Sequence, residues 1–232
     1  MKSKGIPKST LQFLRLLAKN NNREWFNEHK DRYLAEHSHM IDFAERIMAE
    51  INKHDVLEPM TGKKSLFRIY RDVRFSKDKS PYKSAFSGRL KRATLLRRGG
   101  MYYHIEPGNS LIAGGFWNPE KNDLARIRQE LAFDAKPLKK IIRSASFKKY
   151  FGSLEGEQLK TSPKGYPKDH PNIDLLRYKQ FLLIRNFSDK EVSRDSFERE
   201  VVKTFKAMRP LFDYMSEVLT TDANGVRIAG LA

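Results

Sequence analysis

Apolar and polar residues follow two different periods along the chain, and these periods predict helices near both ends and strands between them. Apolar residues recur at helical spacing in three long segments, residues 10–19, 23–52 and 193–219. Alternation typical of strands with one buried face runs through five segments, residues 66–75, 82–90, 101–106, 111–117 and 180–187. This order predicts an α+β fold, with an antiparallel sheet of about four to five strands packed by N-terminal and C-terminal helices.

Local signals set the expected boundaries of these elements. Asn20 to Asn22 should end the first helix, because asparagine tolerates the left-handed conformation. The long second helix is expected to break near Ser38, and Pro210 should kink the last helix. Gly114 and Gly115 remove side chains from a predicted strand, either for a packed aromatic neighbour or for a ligand. We divide the chain into a basic arm, a single α+β domain and a tail, residues 1–9, 10–219 and 220–232.

The most unusual stretch, Ser65 to Tyr82, combines strand-like alternation with many cations and reads SLFRIYRDVRFSKDKSPY. The turn-like run SKDKSP is predicted to join two strands as an antiparallel pair. Arg71 falls on the apolar face of the first strand, where a charged guanidinium is costly unless it is paired. We therefore expect a carboxylate or a bound anion beside Arg71. The candidate carboxylates are Asp78 and Glu106, because Asp72 points to the opposite face.

The block FRIYRDVRFSKDKSPYK is similar to the signature of a mainly bacterial and fungal family, the domain of unknown function 2461 family. Four other blocks resemble the same family, FLRLLAKNNNREWFNEHKDRY, MYYHIEPGNSLIAGGFWNPE, SPKGYPKDHP and LLRYKQF. Together the blocks span about Thr10 to Leu219, so the resemblance implies one family-length unit. The family has no assigned activity, and the resemblance therefore implies no catalytic residue, cofactor or substrate.

Composition limits the chemistry that this chain can use. Of its 232 residues, 39% are hydrophobic and 11% are aromatic, which is enough for a core rich in phenylalanine and tyrosine. The absence of cysteine excludes disulfides, thiolate metal sites and cysteine nucleophiles. The first residues, MKSKGIPKST, contain no apolar signal-peptide core, and no apolar run is as long as a membrane span. We therefore expect a cytoplasmic protein that does not enter a membrane.

The formal net charge of +17 is concentrated in one region of the chain. Residues 63–98 hold thirteen lysines or arginines and two aspartates, an excess of eleven positive charges. Such a field attracts polyanions, although a run of charge is more often a solvated surface. We favour the solvated interpretation for six cations of this region, Lys63, Lys64, Lys91, Arg92, Arg97 and Arg98.

Familiar catalytic motifs are absent from the sequence, which has no phosphate-binding loop, GxGxxG, GxSxG or HExxH. The first hypothesis is a pocket for a ligand that bears a phosphate or a carboxylate, since arginine forks and lysine charges hold such groups. Seven hairpin residues are predicted to bind the anion, Arg68, Arg71, Arg74, Lys77, Lys79, Tyr82 and Lys83. Four later residues are predicted to close over it, Lys164, His170, Arg177 and Lys179. The alternative for Arg71 is an internal ion pair with Asp78 that only stabilises the turn.

Two other functions stay open. The second hypothesis is an enzyme for phosphoesters or nucleic acid, in which Asp72, Asp78 and Glu106 hold a divalent metal and His104 is a general base. A few carboxylates among many cations disfavour that metal site. The third hypothesis is non-catalytic binding of nucleic acid by interleaved basic and aromatic residues of the sheet. The six histidines predict no zinc site, and the sequence indicates neither a cofactor nor an oligomeric state.

Overall fold

A computed structural model describes residues 4–93, 96–222 and 225–228 of the chain. The helices are α1 (Lys8–Lys19), α2 (Arg23–Glu28), α3 (Lys30–Ile51), α4 (Gly62–Ser65), α5 (Lys121–Phe133), α6 (Lys136–Arg143), α7 (Ala145–Phe151), α8 (Ile173–Leu176), α9 (Asp189–Val192) and α10 (Phe197–Thr220). The strands are β1 (Phe86–Lys91), β2 (Gly100–Ile105), β3 (Ser110–Phe116) and β4 (Phe181–Phe187). Within the described ranges, no helix combines the length and the apolar composition needed to cross a bilayer.

The four strands form one antiparallel sheet in the order β1-β2-β3-β4, flanked by N-terminal and C-terminal helices. Strands that follow each other along the chain are therefore neighbours in the sheet, although α5 to α8 lie between β3 and β4 in the sequence. The predicted α+β class is confirmed, and β1 to β4 correspond to four of the five predicted strands.

The remaining prediction, a continuous strand over residues 66–75, is wrong. The described segment has two isolated antiparallel bridges with the following arm, Leu66 with Gly88 and Tyr70 with Tyr82. Its alternating apolar positions do not share a buried face, because Ile69 is buried whereas the Phe75 side chain is 96% exposed. The alternation therefore reflects an irregular hairpin arm with solvated side chains rather than a strand with one core-facing side.

The predicted long second helix is interrupted, but at a different residue from the one predicted. The break lies at His29, between α2 and α3, whereas Ser38 lies inside α3. The His29 Nδ1 atom lies 2.8 Å from the carbonyl oxygen of Trp25, and the two rings stack at 4.1 Å. This side-chain contact occupies a backbone carbonyl at the end of α2 and fixes the position of the break.

The C-terminal helix begins later than the sequence pattern predicts, at Phe197 rather than at Ser193. The preceding residues form the separate turn α9, which is closed by a capping box between Ser188 and Glu191. In this motif each side chain satisfies a backbone N–H of the other residue, so the turn starts with its N-terminal donors paired locally.

The chain divides into two compact units that alternate along the sequence. Unit 1 comprises residues 1–90, 102–112 and 186–203, and unit 2 comprises residues 91–101, 113–185 and 204–232. The division does not decide whether residues 10–219 act as a single domain, which stays a prediction. The predicted basic arm and tail lie partly outside the described residues.

An aromatic cluster forms the centre of unit 1. The Phe43 ring on α3 lies 5.7 Å from the Tyr103 ring and 5.8 Å from the Phe197 ring, and all three side chains are buried. Phe187 adds an edge-to-face contact with Phe197 at 5.3 Å. Because these rings come from α3, β2, α10 and β4, they join elements that are far apart in sequence into one core.

Arg92, in unit 2, was expected on a solvated surface, and that prediction is wrong. The Arg92 side chain is 2% exposed, and its Nη2 atom donates to Asp213 Oδ1 at 2.5 Å. The guanidinium also lies 5.6 Å from the centre of the Phe212 ring. Pairing with a carboxylate and contact with an aromatic face allow a buried arginine to keep its charge.

The paired glycines of β3, also in unit 2, are explained by packing. A Cβ at Gly114 would lie 2.5 Å from Met208 Sδ and 2.9 Å from the Phe212 ring. A Cβ at Gly115, where φ is +138°, would lie 2.1 Å from the backbone oxygen of Phe181. Of the two explanations that the sequence left open, a packed aromatic neighbour therefore accounts for Gly114.

We predict that Gly88→Ala lowers the free energy of unfolding by about 1–3 kcal/mol, because the added Cβ would overpack a filled core. That Cβ would lie 2.2 Å from the hydroxyl of Tyr103, which is fully buried and hydrogen-bonded to Ser65 Oγ at 3.0 Å. Urea unfolding measures the change. The matched control is Gly100→Ala in β2, where a Cβ would meet nothing within 4 Å. Equal destabilisation of the two variants would contradict close packing of Gly88 on Tyr103.

Candidate functional site

Backbone hydrogen bonds hold the two arms of the cationic hairpin together in unit 1. The Arg71 N–H donates to the carbonyl of Pro81 at 2.9 Å, and the Lys83 N–H donates to the carbonyl of Ile69 at 2.8 Å. Both bonds lie next to the Tyr70 bridge and extend the antiparallel pairing on either side of it. The pairing therefore fixes the backbone from which Arg71 and Lys83 project.

Arg71 and Lys83 line one cleft of about 350 Å³, whose lining residues all belong to unit 1. Six of the residues predicted from the sequence meet in this cleft, Arg71, Asp78, Tyr82, Lys83, His104 and Glu106. The cleft thus contains cations, carboxylates and an imidazole, and it also contains hydroxyl and amide groups of residues described below.

The buried side chain of Tyr82 attaches the second arm of the hairpin to the core. Its ring stacks on Phe26 of α2 with ring centres 4.0 Å apart and an angle of 15° between the planes. The Asn21 side chain makes two hydrogen bonds with the Tyr82 backbone, accepting from its N–H at 3.0 Å and donating to its carbonyl at 2.9 Å. Burial also raises the pKa of the Tyr82 hydroxyl. Tyr82 therefore positions the cleft wall with its ring and its backbone.

Asp78 is the carboxylate that accompanies Arg71. The Arg71 Nη1 atom donates to Asp78 Oδ2, and the Arg71 side chain remains 27% exposed. Hydrogen bonds from the Ser80 hydroxyl and backbone N–H, followed by the bond from Arg71, hold the pKa of Asp78 far below its ordinary value. Since a guanidinium carries five N–H donors, one carboxylate leaves Arg71 with capacity for a further acceptor.

Lys83 is a partly desolvated cation of the hairpin. Burial, and then repulsion from Arg68, lower the pKa of its ammonium group. The Lys83 Nζ atom donates to the backbone carbonyl of Arg68 at 2.9 Å and lies 5.6 Å from the centre of the Phe67 ring. The ammonium is thus held by a neutral carbonyl and an aromatic face.

Three side chains of the second strand and the turn after it form a continuous hydrogen-bonded row. Tyr102, His104 and Glu106 occupy alternate positions on one face, as the alternation of the sequence predicts. The Tyr102 hydroxyl lies 2.9 Å from His104 Nδ1, and His104 Nε2 lies 3.0 Å from Glu106 Oε2. His104 and Glu106 line the cleft, so one end of the row reaches it.

Glu106 is fixed by neighbours on both carboxylate oxygens. Ser84 Oγ donates to Oε1 at 2.8 Å, and Asn109 Nδ2 donates to Oε2 at 2.8 Å. Burial alone would raise the pKa of Glu106, but the hydrogen bonds from His104, Asn109 and Ser84 outweigh it and lower the pKa below its ordinary value. Glu106 is therefore a carboxylate at neutral pH.

Other predicted anion-binding residues of the hairpin lie outside this cleft in the part of the chain that the structure describes. Arg74 makes two side-chain hydrogen bonds with the Asp72 carboxylate, at 2.9 and 2.7 Å. Lys79 Nζ donates to the backbone carbonyl of Val73 at 3.0 Å. The described lining of the cleft does not include five predicted residues, Arg68, Asp72, Arg74, Lys77 and Lys79.

The four residues predicted to close over the site belong to unit 2, where Lys179 and His170 have local side-chain partners. Lys179 Nζ donates to Glu157 Oε2 at 2.6 Å. The Asn172 N–H donates to His170 Nδ1 at 3.1 Å. Lys164 lies in the same proline-containing loop as His170, and Arg177 follows α8. Closure of these residues over the hairpin cations stays a prediction.

Among the described residues, no group of three or more histidine, aspartate or glutamate side chains could hold a metal ion. The three carboxylates considered for that role are engaged elsewhere, Asp72 with Arg74, Asp78 with Arg71 and Glu106 with His104. The metal-assisted enzyme therefore stays a prediction that these contacts do not support.

The family described as "Conserved hypothetical protein (DUF2461)" matches residues 9–214, which is most of the chain. The chain belongs to the DUF2461 family. The match confirms the resemblance that the sequence blocks indicated. No curated protein and no solved structure matches the chain. Membership of the DUF2461 family thus identifies the chain without assigning a ligand or a reaction to its cleft.

Six cleft residues of this DUF2461 protein were not predicted, the polar Asn21, Ser80, Ser84 and Ser87 and the alanines Ala18 and Ala85. Asn21 was interpreted as a helix stop, and its sequence neighbourhood gives no sign that its amide pairs with Tyr82, 61 positions away. Ser84 carried a usable signal, because it occupies an alternate position of the second predicted strand. Its role as a donor to Glu106 depends on the register between β1 and β2, which the sequence alone does not determine.

We predict that Glu106→Gln makes the free energy of unfolding depend less steeply on pH in the acid range. The folded-state pKa of Glu106 is lowered, so its ionised form contributes stability that is complete above the ordinary pKa of 4.5 and is lost as the pH falls through the folded pKa. Urea unfolding between about pH 3 and pH 6 measures this contribution. The matched control is Glu217→Gln, at an exposed residue of α10. An equal flattening in the control would contradict the contribution of Glu106.

Proposed function

We propose that the cleft binds a small ligand that bears a phosphate or a carboxylate group. The observation that carries the proposal is that Arg71 and Lys83, from opposite arms of the hairpin, line the same cleft. Arginine offers a planar fork for two oxygens, and lysine adds a compact charge, so the two together suit an oxyanion. A cytoplasmic location belongs to the same proposal.

The surroundings of Lys83 support the choice of an anionic ligand. Its ammonium is partly desolvated, which is unfavourable for the charged form and lowers its pKa. Its hydrogen-bond acceptor is the neutral carbonyl of Arg68. A bound anion would supply opposite charge beside Lys83 and return its pKa toward the ordinary value. Hydroxyls of Ser80 and Ser84, which line the same cleft, would add neutral donors.

Phosphate should raise the melting temperature of the protein, because a ligand that binds only the folded state stabilises it by mass action. Differential scanning fluorimetry at constant ionic strength, with chloride replaced by inorganic phosphate and then by citrate, measures the shift. Lys83→Gln should remove at least half of the shift.

The matched control is Arg74→Gln, because Arg74 belongs to the same hairpin and is paired with Asp72 outside the described cleft lining. It should retain the full response to phosphate. The proposal is wrong if the unmodified protein responds to neither anion, or if Lys83→Gln and Arg74→Gln respond equally.

A second candidate function, binding of single-stranded nucleic acid, is favoured by the exposed aromatic rings of the same hairpin. Phe75 is 96% exposed, Tyr70 55% and Phe67 39%. Exposed rings near cations such as Arg68 and Lys77 are the arrangement on which unpaired bases stack. Phe75 is not part of the described cleft lining, so its substitution tests this surface independently of the anion site.

Phe75→Ala should weaken the binding of fluorescein-labelled oligothymidine, because base stacking on a protein ring contributes roughly 1–3 kcal/mol. Fluorescence anisotropy titrations over a series of salt concentrations measure both the affinity and its salt dependence, which should be steep. Phe133→Ala is the matched control, since Phe133 is also exposed, at 88%, but ends α5. The same affinity for both variants would remove the hairpin rings from any nucleic-acid surface.

A further inference from the structure

We propose that the Tyr102 hydroxyl is a reactive nucleophile, with His104 as its general base and Glu106 as the residue that positions the base. The three groups form one chain of hydrogen bonds, from the Tyr102 hydroxyl to His104 Nδ1 at 2.9 Å and from His104 Nε2 to Glu106 Oε2 at 3.0 Å. A nucleophile, a base within hydrogen-bond reach and a third group that orients the base are the parts of a nucleophilic site.

The acceptor properties of a carboxylate determine where the protons lie in this row. Glu106 is ionised and can only accept, so His104 Nε2 carries the proton of their hydrogen bond. In a neutral imidazole the other nitrogen, Nδ1, is then an acceptor. The Tyr102 hydroxyl must therefore donate to Nδ1, which is the direction in which a base removes its proton.

The orientation of Glu106 is itself fixed, which a positioning residue requires. Ser84 and Asn109 each donate to one of its carboxylate oxygens at 2.8 Å. The Glu106 backbone is also closed into the following turn, since its N–H donates to Ser110 Oγ at 3.0 Å and Ser110 Oγ donates to its carbonyl at 2.8 Å. These contacts hold the carboxylate in place and thereby hold the plane and the tautomer of His104.

The neighbouring Tyr103 shows what a purely structural tyrosine of the same strand looks like. Its side chain is fully buried, its hydroxyl pairs with Ser65 Oγ, and its ring packs on Phe43. Tyr102 points to the other face, is only partly buried, and has a titratable base rather than a serine as its partner. The base, and not the hydrogen bond alone, distinguishes Tyr102 from Tyr103.

The chemistry that this row supports is transfer of an acyl or phosphoryl group to oxygen. The Tyr102 oxygen forms a bond with the electrophilic carbon or phosphorus while its proton passes to His104 Nδ1. The bond to the leaving group breaks, and the leaving group departs with the electron pair and takes the proton back from His104. The substrate class, an activated ester or anhydride with a second anionic group near Arg71 and Lys83, rests on the proposed function of the cleft.

Sulfonyl fluorides test the reactive hydroxyl directly, because they modify tyrosine with the same movement of electrons. The Tyr102 oxygen bonds to sulfur, fluoride leaves with the electron pair, and the proton passes to His104. The folded protein is treated with neutral phenylmethanesulfonyl fluoride, and labelling of each tyrosine is followed by peptide mass mapping. Tyr70, which is 55% exposed, is the reference within the same chain. Tyr102 should react about a hundredfold faster than Tyr70 or more, the low end for general-base assistance.

Variants separate base assistance from simple exposure. His104→Gln and Glu106→Gln should each lower the labelling rate of Tyr102 to about that of Tyr70, while circular dichroism establishes that each variant is folded. His39→Gln is the matched control, because His39 also lies beside a glutamate, 3.1 Å from Glu36 Oε2, and it should not change the rate. The proposal is wrong if Tyr102 reacts no faster than Tyr70, or if every folded variant without the base or its orienting carboxylate keeps the rapid reaction.

A second probe keeps the reactive hydroxyl distinct from the anion site. Para-fluorosulfonylbenzoate carries a carboxylate, so the cleft cations should make it react faster at Tyr102 than the neutral probe, and Lys83→Gln should remove that preference. Rapid labelling by both probes without a preference supports the reactive hydroxyl and contradicts the anionic substrate class, while the phosphate titration tests the anion site by itself. Slow labelling of Tyr102 by both probes contradicts the reactive hydroxyl, whatever the phosphate titration shows.

Discussion

The stacking of Tyr82 on Phe26, together with the two hydrogen bonds from Asn21, is the interaction on which the cleft depends. Regular sheet hydrogen bonding holds a strand along its whole length, but the first arm of this hairpin has only isolated bridges. An arm with so few backbone partners needs a side chain in the core to hold it. The bridge between Tyr70 and Tyr82 links the first arm to the second, where the buried Tyr82 supplies that attachment, and Lys83 and Ser84 follow Tyr82 directly along the chain.

Two of the six cations between Arg68 and Lys83 are neutralised by carboxylates of the same hairpin in the described structure. Arg71 is paired with Asp78, and Arg74 is paired with Asp72. The capacity of the cleft to hold an anion therefore depends on the desolvation of Lys83 and on the remaining donors of Arg71 rather than on the number of cations nearby. The same region has acid–base groups on its β2 side, so a ligand held by the cations would lie beside a titratable row.

The sequence predicts those parts of the molecule in which a repeating pattern records burial. The alternation of Tyr102, His104 and Glu106 with buried neighbours was visible, because β2 has one core face along its entire length. The same reasoning failed over residues 66–75, where Phe67 and Phe75 alternate with polar residues but are exposed. Alternation indicates a buried face only where one side of a segment packs on the core along its whole length. The first arm of the hairpin does not pack in this way.

Pairings between distant residues were the second limit of prediction. The Arg71–Asp78 pair was among the candidates because the two residues are close in sequence, whereas the burial of Arg92 depends on Asp213 and Phe212, more than a hundred positions later. The contact of Asn21 with Tyr82 has the same character. Composition can indicate that a charge or an amide needs a partner, but only the fold determines which distant group provides it.

The spacing of the two isolated bridges has a consequence for the shape of the cleft. Three residues separate Leu66 from Tyr70 on one arm, whereas five separate Tyr82 from Gly88 on the other, so the second arm carries a bulge of two extra residues. A bulged arm does not alternate strictly between faces, and this explains how consecutive residues, Lys83 and Ser84, both border the same cleft. The concavity is thus produced by the extra length of the second arm, which places a run of neighbouring residues along one wall.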